Sequence, residues 1–98
     1  MAKYKKIDRS KLIAEFIKYI KINSKRIENY NVWCTYPVCV QDIAVTHVWA
    51  DDNHIYFGDY DDKSNIFNCR HIDDEVDTRF LDEVFEDIKM IDTKNKRR

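Results

Sequence analysis

The sequence predicts a two-layer α+β sandwich of element order α-(β)-β-β-β-α. Two amphipathic helices pack on one face of an antiparallel meander of three to four strands. Three observations predict it. Apolar residues recur at helical spacing near both ends of the chain. Between them lie segments that alternate in side-chain character with the period of a strand. The connections between those segments are only a few residues long, and short connections force neighbouring strands to run antiparallel. The 98 residues fit one domain, with flexible basic ends expected at 1–7 and 93–98.

Each element has its own signal. Asp8 or Ser10 can cap a first helix. Leu12, Ile13, Phe16, Ile17 and Ile20 then form one apolar stripe. The helix is expected to reach Asn23, and Ile27 would extend it to Asn29. Val32–Val40 is β-branched and aromatic, but Pro37 cannot donate to a ladder, so this piece reads as an edge strand or extended lead-in. In the next strand Ile43, Val45, His47 and Trp49 alternate with Ala44, Thr46, Val48 and Ala50. Asp51-Asp52-Asn53 has turn chemistry. His54–Tyr60 follows, with Ile55 and Phe57 on one face and Tyr56 and Tyr60 on the other. Asp61–Asn65 is a loop of hairpin length, and Ile66–Ile72 is the last strand. Asp73, Asp74, Glu75 and Asp77 crowd the start of a second helix, where negative charge complements the helix dipole. Its stripe is Phe80, Leu81, Val84, Phe85, Ile88 and Ile91.

Composition excludes several classes. Hydrophobic residues make up 44% of the chain, enough for a core and too much for global disorder. There is one glycine, Gly58, so no Gly-rich loop can cradle a phosphate or dinucleotide. No apolar run approaches the roughly eighteen residues of a membrane span, and the basic start leads into a charged helix rather than a signal-peptide core. Three cysteines, Cys34, Cys39 and Cys69, are an odd count that reads as free thiols in a cytoplasmic protein.

Charge is sorted along the chain. Residues 1–30 carry nine basic side chains against three acidic ones, whereas residues 31–93 carry fifteen acidic against four basic. The total of −1 hides this asymmetry. Asp51, Asp52, Asp59, Asp61 and Asp62 fall on hairpin turns and a strand end, and Asp82, Glu83, Glu86 and Asp87 on the second helix. Such an array is expected to dock on a basic protein partner, with attraction steering the encounter. Tyr56 and Tyr60 would supply its desolvated centre, because rigid aromatic area with a polar handle anchors interfaces. In strategy this resembles small acidic α+β inhibitors encoded by phages and mobile elements, including anti-CRISPR and anti-restriction proteins. The resemblance implies a non-enzymatic inhibitor or accessory protein. The alternative is a nucleic-acid binder that contacts phosphates through Lys18, Lys21, Lys25 and Arg26 of a basic first helix. The two charge blocks could also pair between chains, which would make a homo-oligomer.

Catalytic and metal sets are weaker. Cys34, Cys39, Cys69 and His71 offer zinc-ligand chemistry without the usual paired spacing, and core thiols are the expected reading. Asp59, Asp61 and Asn65 fail the EF-hand pattern at Lys63 and at the required glycine. Asp61-Asp62-Lys63 resembles the D-x-K of metal-dependent nucleases, which implies a metal-dependent hydrolase with Asp42, Asp51 or Asp52 as the other acid. It falls in the loop before a strand, where that family places it within the strand. Cys39, Asp42 and His47 have the residue types of a nucleophilic set. The expectation from residues alone is no catalytic group, no metal and no cofactor.

Overall fold

A computed structural model describes residues 8–28, 30–35, 45–61 and 63–96. Helix α1 (Arg9–Asn23) begins at Asp8, whose carboxylate accepts from the Lys11 N–H at 3.3 Å. Five strands follow: β1 (Lys25–Ile27), β2 (Val32–Cys34), β3 (His47–Ala50), β4 (Ile55–Asp61) and β5 (Ile66–Ile72). A 3₁₀ turn at Asp73–Glu75 leads into helix α2 (Thr78–Lys96). The strands form one antiparallel sheet in chain order, and both helices pack on one face of it. The sandwich is the predicted one, with five strands in place of three or four.

The added strand is β1. The first helix does not extend to Asn29. Ser24 leaves it with extended geometry (φ −124°, ψ 170°), and the Asn23 side chain donates to the Tyr19 carbonyl in the last turn. Lys25–Ile27 then pairs with Cys34–Val32 as a hairpin. Asn31 closes that hairpin at φ 56°, a left-handed conformation that asparagine tolerates better than most residues. β2 is therefore interior, with β1 as the sheet edge, which corrects the reading of the Val32–Val40 piece as an edge. Pro37 and the rest of 36–44 lie outside the described residues.

Two other boundaries move. The third strand starts at His47, and Val45 enters the main core ahead of it. Asp73–Glu75 is a separate 3₁₀ turn, so α2 starts at Thr78 and its backbone runs to Lys96, through four residues expected to fray.

The main core joins Leu12, Phe16, Ile17 and Ile20 of α1 to Leu81, Val84, Phe85 and Ile88 of α2 over Val48, Ala50, Ile55 and Phe57 of the sheet. Phe16 stacks on Phe85 with ring centroids 4.6 Å apart. Arg9 ties the start of α1 to the approach of α2. Its guanidinium donates to the carbonyls of Val76 (2.9 Å) and Asp73 and to Thr78 Oγ1 (3.0 Å). The acceptors are two backbone carbonyls and a threonine hydroxyl.

Gly58 is required by close approach. In β5, Arg70 is an extra residue, since Phe57 pairs with His71 and Gly58 with Cys69. A Cβ at position 58 would lie 2.2 Å from the Asn68 carbonyl oxygen.

Candidate docking face

Strand alternation sends Trp49, Tyr56, Tyr60 and Phe67 to the face opposite the helices. The register sets them in rows: Cys34, Trp49, Tyr56 and Ile72 lie side by side across β2–β5, and Tyr60 sits opposite Phe67. The rings touch. Tyr60 stacks on Phe67 at 4.4 Å, Trp49 tilts against Phe67 at 4.6 Å and lies parallel to Tyr56 at 6.1 Å, and Tyr30 meets Phe67 edge-on at 5.0 Å. Val32, Cys34 and Ile27 complete the cluster. Trp49 is 4% exposed at its centre, while Tyr56, Tyr60 and Phe67 are half-buried and Tyr30 is exposed. Among the described residues, neither helix contributes a side chain to this second cluster.

The ring hydroxyls are anchored at opposite ends of β4. The Tyr56 hydroxyl donates to Asp51 Oδ2 at 2.7 Å, while Asp51 Oδ1 accepts from the N–H groups of Asn53 (2.8 Å) and His54 (2.7 Å). The Tyr60 hydroxyl donates to Asn65 Oδ1 at 2.8 Å, and that of Tyr30 to the Asn65 carbonyl at 2.9 Å. Asn65 sits at φ 60° in the β4–β5 turn. Burial raises the Tyr56 hydroxyl, and the Asp51 charge adds to it, taking it to about 12. Burial also pushes the Asp51 carboxyl up, but the Tyr56 hydroxyl, the two N–H groups and the nearby His54 together hold it below the ordinary carboxylate value.

The carboxylates expected to form one surface are divided among three places. Asp51 and Asp52 sit at the β3–β4 turn. Asp59 and Asp61 lie toward the other end of β4, whose seven residues span about 20 Å. Asp82, Glu83, Glu86 and Asp87 belong to α2, in the opposite layer from Tyr56 and Tyr60. Asp62 lies outside the described residues. Two of the turn carboxylates carry ion pairs: Asp52 with Lys21 at 2.6 Å and Asp59 with Arg70 at 3.1 Å. The other two accept from neutral donors, Asp51 as above and Asp61 from the Lys63 N–H (3.0 Å) and Ser64 Oγ (2.9 Å). Asp51 and Asp61 thus flank the aromatic face from its two ends. On α2, Asp82 is half-buried, Glu83 and Asp87 are exposed, and Glu86 pairs with Lys89 at 3.0 Å.

The basic residues are divided too. Lys18 and Lys21 are on α1, where with Ala14, Ile17, Ile22 and Asp52 they line a shallow cleft of about 450 Å³. Lys25 and Arg26 are on β1, which corrects their placement on the first helix. Lys21 Nζ lies 4.6 Å from the Trp33 ring centre and the Arg26 guanidinium 5.7 Å from it, so one indole gathers two cations. Lys25 alternates to the other side of the strand.

The remaining sets come apart. The extra residue in β5 pairs Cys69 with Gly58 and His71 with Phe57, on opposite faces, so the Cys69 thiol meets the His71 carbonyl at 3.3 Å rather than its imidazole. Cys34 is three strands from Cys69, about 14 Å across the sheet. Burial drives its thiol up to about 12, the value of an inert core cysteine. Asp61 is engaged in its own turn. Cys39 and Asp42 lie outside the described residues. His47 is buried, 3.0 Å from Thr46 Oγ1 and edge-on to Tyr60.

Sequence reasoning missed Phe67 and Tyr30 as members of the aromatic face. Alternation along β5 was the available signal for Phe67. It also missed the pairing of His54 with Asp73, 19 positions apart, for which no local pattern exists. The His54 ring lies 3.1 Å from the Asp73 carboxylate, and this hydrogen bond raises the histidine above its ordinary value. Among the described residues no helix is long and apolar enough to cross a membrane. Comparisons with protein-family models, with curated proteins and with solved structures give no match.

Proposed function

We propose that this chain is a small non-enzymatic module that binds a basic protein partner through the aromatic face of its sheet. The observation that carries the reading is a five-ring cluster, Tyr30, Trp49, Tyr56, Tyr60 and Phe67, on the face opposite both helices. Among the described residues, Asp51 and Asp61 at its two ends accept hydrogen bonds from no lysine or arginine side chain. An aromatic centre with an acidic fringe complements a patch that pairs apolar side chains with lysine or arginine. The α2 carboxylates Asp82, Glu83, Glu86 and Asp87 lie in the other layer, so in this reading they would add long-range attraction without touching the partner. An inhibitor or accessory role for a phage or mobile element is the setting proposed for such a module, in a reducing cytoplasm that suits free Cys34 and Cys69.

The test is affinity capture with the full chain, compared with Tyr60→Ser and with Asp51→Asn/Asp61→Asn. The expected result is a partner retained by wild type, lost with Tyr60→Ser, and bound about tenfold more slowly by the double carboxylate variant at low salt. A partner retained equally by all three sinks the reading.

A second reading has its own observation, the Lys21–Trp33–Arg26 group beside the Lys18 cleft. It would serve single-stranded nucleic acid through phosphate contacts. Retention on DNA or RNA with a steep salt slope, reduced by Arg26→Ala, would favour it over the first.

A further inference from the structure

We propose that His54, Asp73 and Asp74 form a binding site for a divalent transition-metal ion of the zinc type. One ring nitrogen of His54 and one carboxylate oxygen from each aspartate all lie within 4.8 Å of one another. The His54–Asp73 separation is 3.1 Å. Ligands at about 2.0–2.2 Å from a tetrahedral zinc ion stand roughly 3.3–3.6 Å apart, so a small outward shift of this pair would make one edge of a coordination shell.

The site is built around a buried anchor. The Asp73 side chain is 2% exposed, and its Oδ2 accepts the Ile55 N–H at 3.1 Å. That bond fixes the carboxylate so that Oδ1 faces His54. A ligand oriented by an outer-shell hydrogen bond needs little rearrangement to bind a metal. Around this anchor the local charge is negative, from Asp73 and Asp74 with Asp51 nearby. A buried carboxylate needs a positive partner. Its hydrogen bonds come from a neutral N–H and from a histidine that is only conditionally charged. Arg9, a fixed cation in this region, spends its hydrogen bonds on the Asp73 carbonyl and on Val76 and Thr78.

Ligand type selects the ion. An imidazole with two carboxylates suits zinc, cobalt or nickel, whereas calcium and magnesium sites are built from oxygen alone. The metal would replace the proton shared between His54 and Asp73. The His54 side chain is 42% exposed and Asp74 lies at the surface, so the remaining coordination positions open to solvent.

The experiment is titration of the untagged full chain with zinc chloride by calorimetry, with cobalt(II) absorption as a second readout. One ion per chain is expected, together with a rise in melting temperature. His54→Ala and Asp74→Asn, both at solvent-accessible positions, should each weaken binding by about tenfold or more. Cys69→Ser should leave it unchanged. Circular dichroism checks that each variant is folded. Absence of saturable binding, or binding that survives both His54→Ala and Asp74→Asn, overturns the proposal.

Discussion

Tyr56 and Asp51 close the β3–β4 hairpin on itself, with the tyrosine hydroxyl 2.7 Å from the carboxylate oxygen. The same carboxylate takes two N–H groups of the turn on its other oxygen, so one side chain orders both the turn and the aromatic ring beyond it. The hairpin and the proposed docking face therefore share a bond. Tyr56→Phe keeps the ring and removes the donor. It should destabilise the chain by about 0.5–1.5 kcal/mol in urea unfolding while leaving partner binding in place. Equal losses of stability and binding would make the ring's position, rather than its area, the critical quantity.

Acid should act on the turns first. Asp51, Asp59 and Asp61 are all held below the ordinary carboxylate value of 3.8. For Asp59 the first cause is the Thr46 hydroxyl, with Arg70 adding to it, and for Asp61 it is the Ser64 hydroxyl. A group lowered in the folded state contributes stability above its unfolded value and loses that contribution as pH falls through its folded value. Stability should therefore be steady at mildly acidic pH and decline below 3.8. Melting temperature against pH reads this out, and Asp51→Asn should flatten the decline.

Gly58→Ala should be the most damaging single-methyl change in the sheet. The added carbon would meet the Asn68 carbonyl at 2.2 Å and the Cys69 Cα at 3.0 Å, both backbone atoms that cannot rotate away. A cost of roughly 1–3 kcal/mol is expected from overpacking alone. Chemical denaturation measures it, and a neutral result would mean that the β5 bulge is absent in solution.

Thiol labelling should separate the two described cysteines. Cys34 is 4% exposed with its thiol driven to about 12 by burial, whereas Cys69 is exposed on β5. Burial and Glu75 nonetheless push the Cys69 thiol above its ordinary value, with hydrogen bonds opposing them. Iodoacetamide under native conditions should modify Cys69 slowly and Cys34 only after unfolding. Peptide mass spectrometry gives the site, and rapid native labelling of Cys34 would contradict the packing of Trp49 over it.

The Arg9 clamp predicts a long-range effect. Arg9→Met keeps most of the stem but removes the donor to the Val76 carbonyl and to Thr78 Oγ1, and leaves the Asp73 carbonyl with the Val76 N–H at 3.1 Å. A loss of about 1–3 kcal/mol is expected, with faster hydrogen exchange at the start of α2.

The sequence by itself determined both helices, the two central hairpins and the opposition of Ile55 and Phe57 to Tyr56 and Tyr60. Those follow from periods of 3.6 and 2, which are local. It did not determine β1, because Lys25–Ile27 is too short to show a period and becomes a strand only by pairing with Val32–Cys34. Tertiary structure alone decided which carboxylates share a surface. Alternation places a side chain above or below its own strand, but strand length separates Asp51 from Asp61, and layer order separates both from α2. It also decided that His54 meets Asp73, that Arg9 reaches the far end of the chain, and that one extra residue parts Cys69 from His71. Each of these depends on contacts between distant segments, which burial and sheet register set and no neighbouring residue encodes.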